Sequence, residues 1–119
     1  MSEAEANITV HQAGNVSVVE LADRKILDEP VINEIGERLR ELAATGPSPR
    51  LLIDFKNVEH LSSAALGVLI TLNRQVGDQQ GQLVLANIHP QIYEVFKITR
   101  LNRLFNIQST TEEALRVFH

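Results

Sequence analysis

The segment from Arg50 to Val76 reads RLLIDFKNVEHLSSAALGVLITLNRQV, and it decides the fold. Leu51, Leu52, Ile53 and Phe55 form a short apolar run broken only by Asp54, the signature of a strand buried on both faces. The chain then turns through Lys56 to Leu61. Ser62 and Ser63 stand directly ahead of an unbroken helical pattern, where hydroxyl side chains satisfy the orphan N–H groups of a helix start. A sheet strand therefore hands over to a helix amino end at a serine pair. In α/β proteins ligands, phosphates and partners are met at such places.

At 100° per residue the helix has two unlike sides. Ala65, Leu66, Val68, Leu69, Ile70, Leu72 and Val76 cover a broad apolar arc. Ser63, Gly67, Thr71, Arg74 and Asp78 fall opposite. With Ala64, that second arc is small near its start, so another surface can approach the backbone closely. Gly67 costs about 1 kcal/mol relative to Ala inside a helix, and close approach is a reason to keep it.

The flanking sequence supplies the rest of the sheet. Gln82 to Ile88 is a second apolar strand, with Gly77 and Gly81 bracketing the turn before it. Strand, helix and strand at this spacing form a right-handed crossover, so Leu51–Phe55 and Leu83–Ile88 are expected to be parallel and central. Towards the amino end, Ile8–Gln12 and Val16–Leu21 flank the turn signal Gly14-Asn15 and predict a hairpin. Ala22–Glu29 reads as a polar loop with Ile26 and Leu27 tucked in. A helix follows from Pro30, with Val31, Ile32, Ile35, Leu39 and Leu42 inward, and Gly46-Pro47 ends it. Beyond the second central strand, His89-Pro90 opens a helix, Leu104–Ile107 reads as a short strand, and Ser109–Phe118 as a last helix. Thr110 and Glu113 have capping-box spacing there. The expected architecture is a single α/β domain: a mixed four- to five-stranded sheet with about four helices, mainly on one face. Residues 1–6 are expected to be disordered and 7–119 to form the domain.

Composition narrows the chemistry. The chain has 119 residues, a formal net charge of −4 and no cysteine. That excludes a disulfide framework and a thiolate metal site. No basic cluster suggests nucleic acid, and no apolar run has the length of a membrane span or forms a signal core. The expectation is a soluble, cytoplasmic domain. His11, His60, His89 and His119 lack metal-ligand spacing, so neither a metal nor a cofactor is expected. Asp54, His60 and Ser63 have the residue types of a hydrolytic triad. Ser63 lies outside a G-x-S-x-G elbow, however, and no catalytic residue is assigned.

The run from Asp54-Phe55 through Val58 and Leu61-Ser62-Ser63-Ala64-Ala65-Leu66-Gly67-Val68-Leu69 resembles the core of STAS domains. It is most similar to bacterial anti-sigma factor antagonists. The likeness continues through Gly81-x-Leu-Val-Leu, Val95–Leu101, Leu104-Phe105 and Glu113-Ala114-Leu115. Aligning Leu66-Gly67-Val68 on the family's Leu-Gly-Val places Ser63 at the serine that a partner kinase phosphorylates. Two departures stand out. Ser62 replaces the family's Asp, and Ala22–Asp28 replaces its Gly-Glu-Leu-Asp loop. The resemblance implies a non-enzymatic switch whose partner is an anti-sigma factor serine kinase. Ser62, Ser63, Ala64, Gly67, Thr71 and Arg74 would form the partner-binding face, with phosphate on Ser63 ending the binding. The alternative it implies is an unphosphorylated STAS scaffold, or an accessory subunit of a signalling complex or a lipid-transport ATPase.

Overall fold

The computed structural model describes residues 7–118. The expected disorder of residues 1–6, and His119, lie outside them. The chain forms strands β1 (Ile8–Ala13), β2 (Val16–Leu21) and β3 (Lys25–Ile26), helix α1 (Glu29–Ala43), then β4 (Arg50–Asp54) and β5 (His60–Leu61). Helix α2 (Ser63–Asp78), β6 (Gln82–Ala86), α3 (Pro90–Ile98), a 3-10 turn at Leu101–Arg103, β7 (Asn106–Gln108) and α4 (Thr111–Arg116) complete it. Five strands make one mixed sheet in the order β1-β2-β4-β6-β7. Among the described residues only the β1–β2 hairpin is antiparallel. The two apolar strands read from sequence are therefore adjacent, parallel and interior, with Leu51 opposite Leu83 and Ile53 opposite Leu85.

Period-two alternation sorts the strand residues between two cores. Val19, Leu21, Leu51, Ile53, Leu83 and Leu85 join the buried faces of α1, α2 and α3. Val16, Val18, Leu52, Val84 and Ala86 point the other way, onto α4 through Ala114. Three helices thus share one face and the short α4 covers the other. Gly36 lies where α1 meets α2. A methyl group there would come within 3.2 Å of Val68 Cγ1, so the glycine sets how closely the two helices approach.

Several boundaries differ from the sequence reading. Helix α1 stops at Ala43, before Gly46-Pro47. The Ala44 N–H donates to the carbonyls of Arg40 and Glu41 and the Thr45 N–H to that of Leu42, which closes the helix there. Gly77 belongs to α2, whereas Gly81 is held by proximity: a Cβ there would collide with the Pro49 carbonyl and lie 2.9 Å from Pro49 Cδ. Gly81→Ala is expected to lower stability by about 1–3 kcal/mol through this overpacking, read as a drop in melting temperature. The last strand is Asn106–Gln108 rather than Leu104–Ile107. Leu101–Arg103 winds into a 3-10 turn first, which leaves Leu104 exposed. The last helix is shorter than Ser109–Phe118, although Thr110 Oγ1 does accept from the Glu113 N–H as the cap spacing foretold. In the loop after β2, Ile26 is buried but Leu27 is 51% exposed. The two-residue strand β3 can turn only one of its neighbours inward.

Candidate functional site

Helix α2 begins at the carboxyl end of the sheet, and its first residues are fixed from both sides. Ser62 is the N-cap. Its backbone is extended, and its Oγ accepts from the Ala65 N–H at 3.2 Å. Ser63 is the first helical residue. It is exposed, and its hydroxyl has no hydrogen-bond partner among the described residues. The serine pair thus divides its work: one hydroxyl is committed to the helix end, the other is free. Ser62→Ala is expected to cost about 1 kcal/mol of stability while leaving Ser63 accessible. Chemical denaturation measures the first effect and phosphosite mapping the second.

Ala64, Gly67, Thr71 and Arg74 are all exposed on the same side of α2 as Ser63, while Ser62 is half buried beside it. A Cβ on Gly67 would meet nothing within 4 Å, so the small-residue face is open. From Ser63 to Arg74 the face runs about 16 Å at 1.5 Å per residue. Arg74 makes no ion pair among the described residues. The first turn of α2 holds no acidic side chain.

The loop leading to Ser62 is tied down by three other segments. Strands β3 and β5 pair in parallel, and the Ser62 N–H donates to Ile26 O at 3.1 Å. The Glu59 and His60 N–H groups both donate to Arg24 O. Arg24 grips the Glu59 carboxylate with two N–H bonds, at 3.1 and 3.2 Å. That pairing holds Glu59 below the usual carboxylate range and raises Arg24, by hydrogen bond first and charge second. From the first turn of α3, Gln91 Nε2 donates to Glu59 O, and from its N-cap, His89 Nε2 donates to the Lys56 carbonyl at 2.7 Å. The sequence reading missed this clamp. Its members lie 32 to 35 residues apart, and a two-residue strand carries no periodicity to detect.

The triad residue types are not assembled. Asp54 is buried, and its Oδ1 accepts from the Lys56 N–H and from Asn87 Nδ2, each at 2.9 Å. Its side chain shares the α4 side of the sheet with Leu52. Asn87 Nδ2 also reaches Thr111 Oγ1, so Asp54 ties the ends of β4 and β6 to the start of α4. Lys56 Nζ bridges Glu20 at 3.1 Å and lies 3.9 Å from Asp54 Oδ2. Its pKa is raised, chiefly by Glu20. His60 is exposed, and no hydrogen bond joins Asp54, His60 and Ser63 among the described residues. No group of three or more His, Cys, Asp or Glu among those residues could hold a metal.

A five-stranded mixed sheet with a capped helix amino end, carrying a free serine and an open small-residue face, defines a class. Residues 7–114 match the STAS domain family, and the chain belongs to it. It is 30% identical over 107 residues to the anti-sigma-B factor antagonist of Bacillus subtilis (strain 168), covering 89% of this chain and 94% of that protein. It is 34% identical over 58 residues to a STAS-domain containing protein of Pseudomonas aeruginosa, covering 49% and 57% of the two. Against that protein and one further relative, the chain spans only 57% and 60% of their lengths. Among solved structures, the anti-sigma-factor antagonist (STAS) domain protein from Planctomyces limnophilus superposes with a TM-score of 0.83 at 23% identity. That match covers 94% of this chain and 97% of that one, and it shows the shared fold. No helix among the described residues is long and apolar enough to cross a membrane.

Proposed function

We propose that this chain is an anti-sigma factor antagonist that works by partner exchange. Unphosphorylated, it binds an anti-sigma factor serine kinase through the α2 face formed by Ser62, Ser63, Ala64, Gly67, Thr71 and Arg74, and so releases a sigma factor. The partner then uses ATP to phosphorylate it: Ser63 Oγ attacks the γ-phosphorus, ADP departs, and the hydroxyl proton passes to a base of the kinase. The observation that carries this reading is the division between the two serines, with Ser62 Oγ held by Ala65 N–H and Ser63 Oγ free and exposed. The named relative in Bacillus subtilis supports the role.

The replacement of the family's acidic residue by Ser62 fits the same scheme. Ser and Asp are near-equal as N-caps, so the helix start is kept. The exchange removes one negative charge beside the phosphate acceptor. A phosphate carries about −1.5 to −2 charge and meets less repulsion here than beside a carboxylate.

The test is incubation with ATP and the anti-sigma kinase encoded nearest to this chain's gene, followed by phosphosite mapping. Phosphate on Ser63, with the complex dissociating as it accumulates, is the expected result. Phosphate on Ser62 alone would show the alignment to be off by one residue. Binding with no phosphate on either serine would favour the scaffold role instead.

A further inference from the structure

The sheet ends in two unlike edges. Strand β7 is three residues long, a length that leaves little to pair with. Strand β1 has six residues, Ile8–Ala13, paired to β2 without a bulge from Ile8–Leu21 to Ala13–Val16. It contains neither proline nor lysine, the residues that commonly blunt such an edge. Its free groups can be assigned. The Ala22 N–H donates to Asn7 O, so by alternation Thr9, His11 and Ala13 also turn their backbone groups towards β2. Ile8, Val10 and Gln12 therefore present N–H and C=O outward.

We propose that two copies of this chain pair through β1, antiparallel about a two-fold axis at Val10, to form one continuous ten-stranded sheet. In that register Val10 faces Val10 of the second copy, and Ile8 faces Gln12 on either side. All three outward-facing residues become hydrogen-bonded pairs, and no outward N–H or C=O between Ile8 and Gln12 is left over. Thr9 falls opposite His11 of the second copy, which keeps the two imidazoles apart.

The second copy is the occupant because the neighbouring surface is self-complementary. Val10 shares a groove with Arg38, Glu41 and Leu42 of α1 and with Thr45 just beyond its end. Arg38 and Glu41 lie one turn apart on the helix face beside the edge, and neither has an ion-pair partner among the described residues. A two-fold axis reverses α1 against its copy and brings each Arg38 to the other chain's Glu41. It also places the half-buried Val10 and Leu42 against their equivalents. An isologous contact needs one patch that matches itself, and this one does in backbone, charge and apolar surface. The edge is separated from β4 by β2 and lies away from the exposed face of α2, so both Ser63 hydroxyls stay open.

Sedimentation velocity across a concentration series reaching the high micromolar range gives the first reading. The expected species has twice the 13.3 kDa mass of the chain. Val10→Pro removes only an outward N–H, so the β1–β2 ladder survives while pairing at the axis is blocked; it is expected to sediment as a monomer. Arg38→Glu places like charges together and is expected to weaken association at least tenfold, and adding Glu41→Arg to it is expected to restore the dimer. This pair keeps the test independent of how well Val10→Pro folds. Backbone amides of Ile8, Val10 and Gln12 should gain exchange protection as concentration rises. A wild-type monomer throughout the series would overturn the proposal. So would a dimer that ignores Arg38→Glu, or one whose outward amides exchange freely.

Discussion

Ser63→Asp is expected to fold as the parent chain does and to lose affinity for the anti-sigma kinase by at least about a hundredfold, since like-charge or unpaired charge in an interface costs several kcal/mol. The two halves of this expectation have separate causes. Within the domain, a negative group on the first residue of α2 lies at the positive end of the helix dipole, worth about 0.3–1 kcal/mol on an exposed end. No carboxylate in that first turn opposes it. The melting temperature should therefore hold or rise slightly. Across the proposed interface, the same charge would meet a surface that had accepted a neutral hydroxyl, and would have to shed its water without a partner. Ser63→Ala should fold, bind, and accept no phosphate at that position. Calorimetric titration of the three proteins against the kinase reads both arms. Equal binding by Ser63→Asp and wild type would show that charge at Ser63 is not the signal, although one carboxylate reproduces only part of a phosphate's charge.

Gly67→Arg should have a comparable effect on binding by a different route. The position is exposed, and a Cβ there touches nothing within 4 Å, so the substitution introduces no clash inside the domain. Replacing a helical glycine recovers up to about 1 kcal/mol of helix propensity. The variant should thus be as stable as the parent or more so. A long cationic side chain one turn after Ser63 would hold a partner away from the backbone, and a loss of at least about tenfold, some 1.4 kcal/mol, is expected. Wild-type affinity with normal melting would place the interface elsewhere. Because Gly67→Arg adds positive charge and Ser63→Asp adds negative charge, loss of binding in both argues for contact rather than long-range electrostatics.

The central strands and α2 were legible from residues 50–88 because each carries a long, self-consistent pattern. The short apolar run of Leu51, Leu52, Ile53 and Phe55, broken only by Asp54, reads as a doubly covered strand, and the arc of Ala65, Leu66, Leu69, Leu72 and Val76 is the buried stripe of α2. The serine pair was legible as a helix start, but which hydroxyl caps was not. That depends on the backbone at Ser62, whose extended φ and ψ place its Oγ near Ala65 N–H. The clamp on the loop was invisible for another reason. Arg24, Glu59, His89 and Gln91 are polar residues in three separate segments, and only the parallel sheet brings them together. Leu27 and Leu104 show the converse. Both are large apolar residues that a hydrophobicity pattern draws inward; the alternation past β3 leaves Leu27 outside, and the 3-10 turn at Leu101–Arg103 leaves Leu104 outside.

The bonds holding residues 56–62 have a consequence for timing. The segment before Ser63 is fastened to the loop after β2, to β3 and to the amino end of α3. If Ser63 is phosphorylated as proposed, the phosphate would join a platform that these bonds already hold in place. Under the proposed function, the off state would be stored in the phosphoester bond rather than in a conformation that could relax back by itself. Such a bond is stable in water until an enzyme removes it. The domain would therefore keep a record of its last encounter with the kinase, and the lifetime of that record would be set by the activity of a phosphatase rather than by the domain's own dynamics.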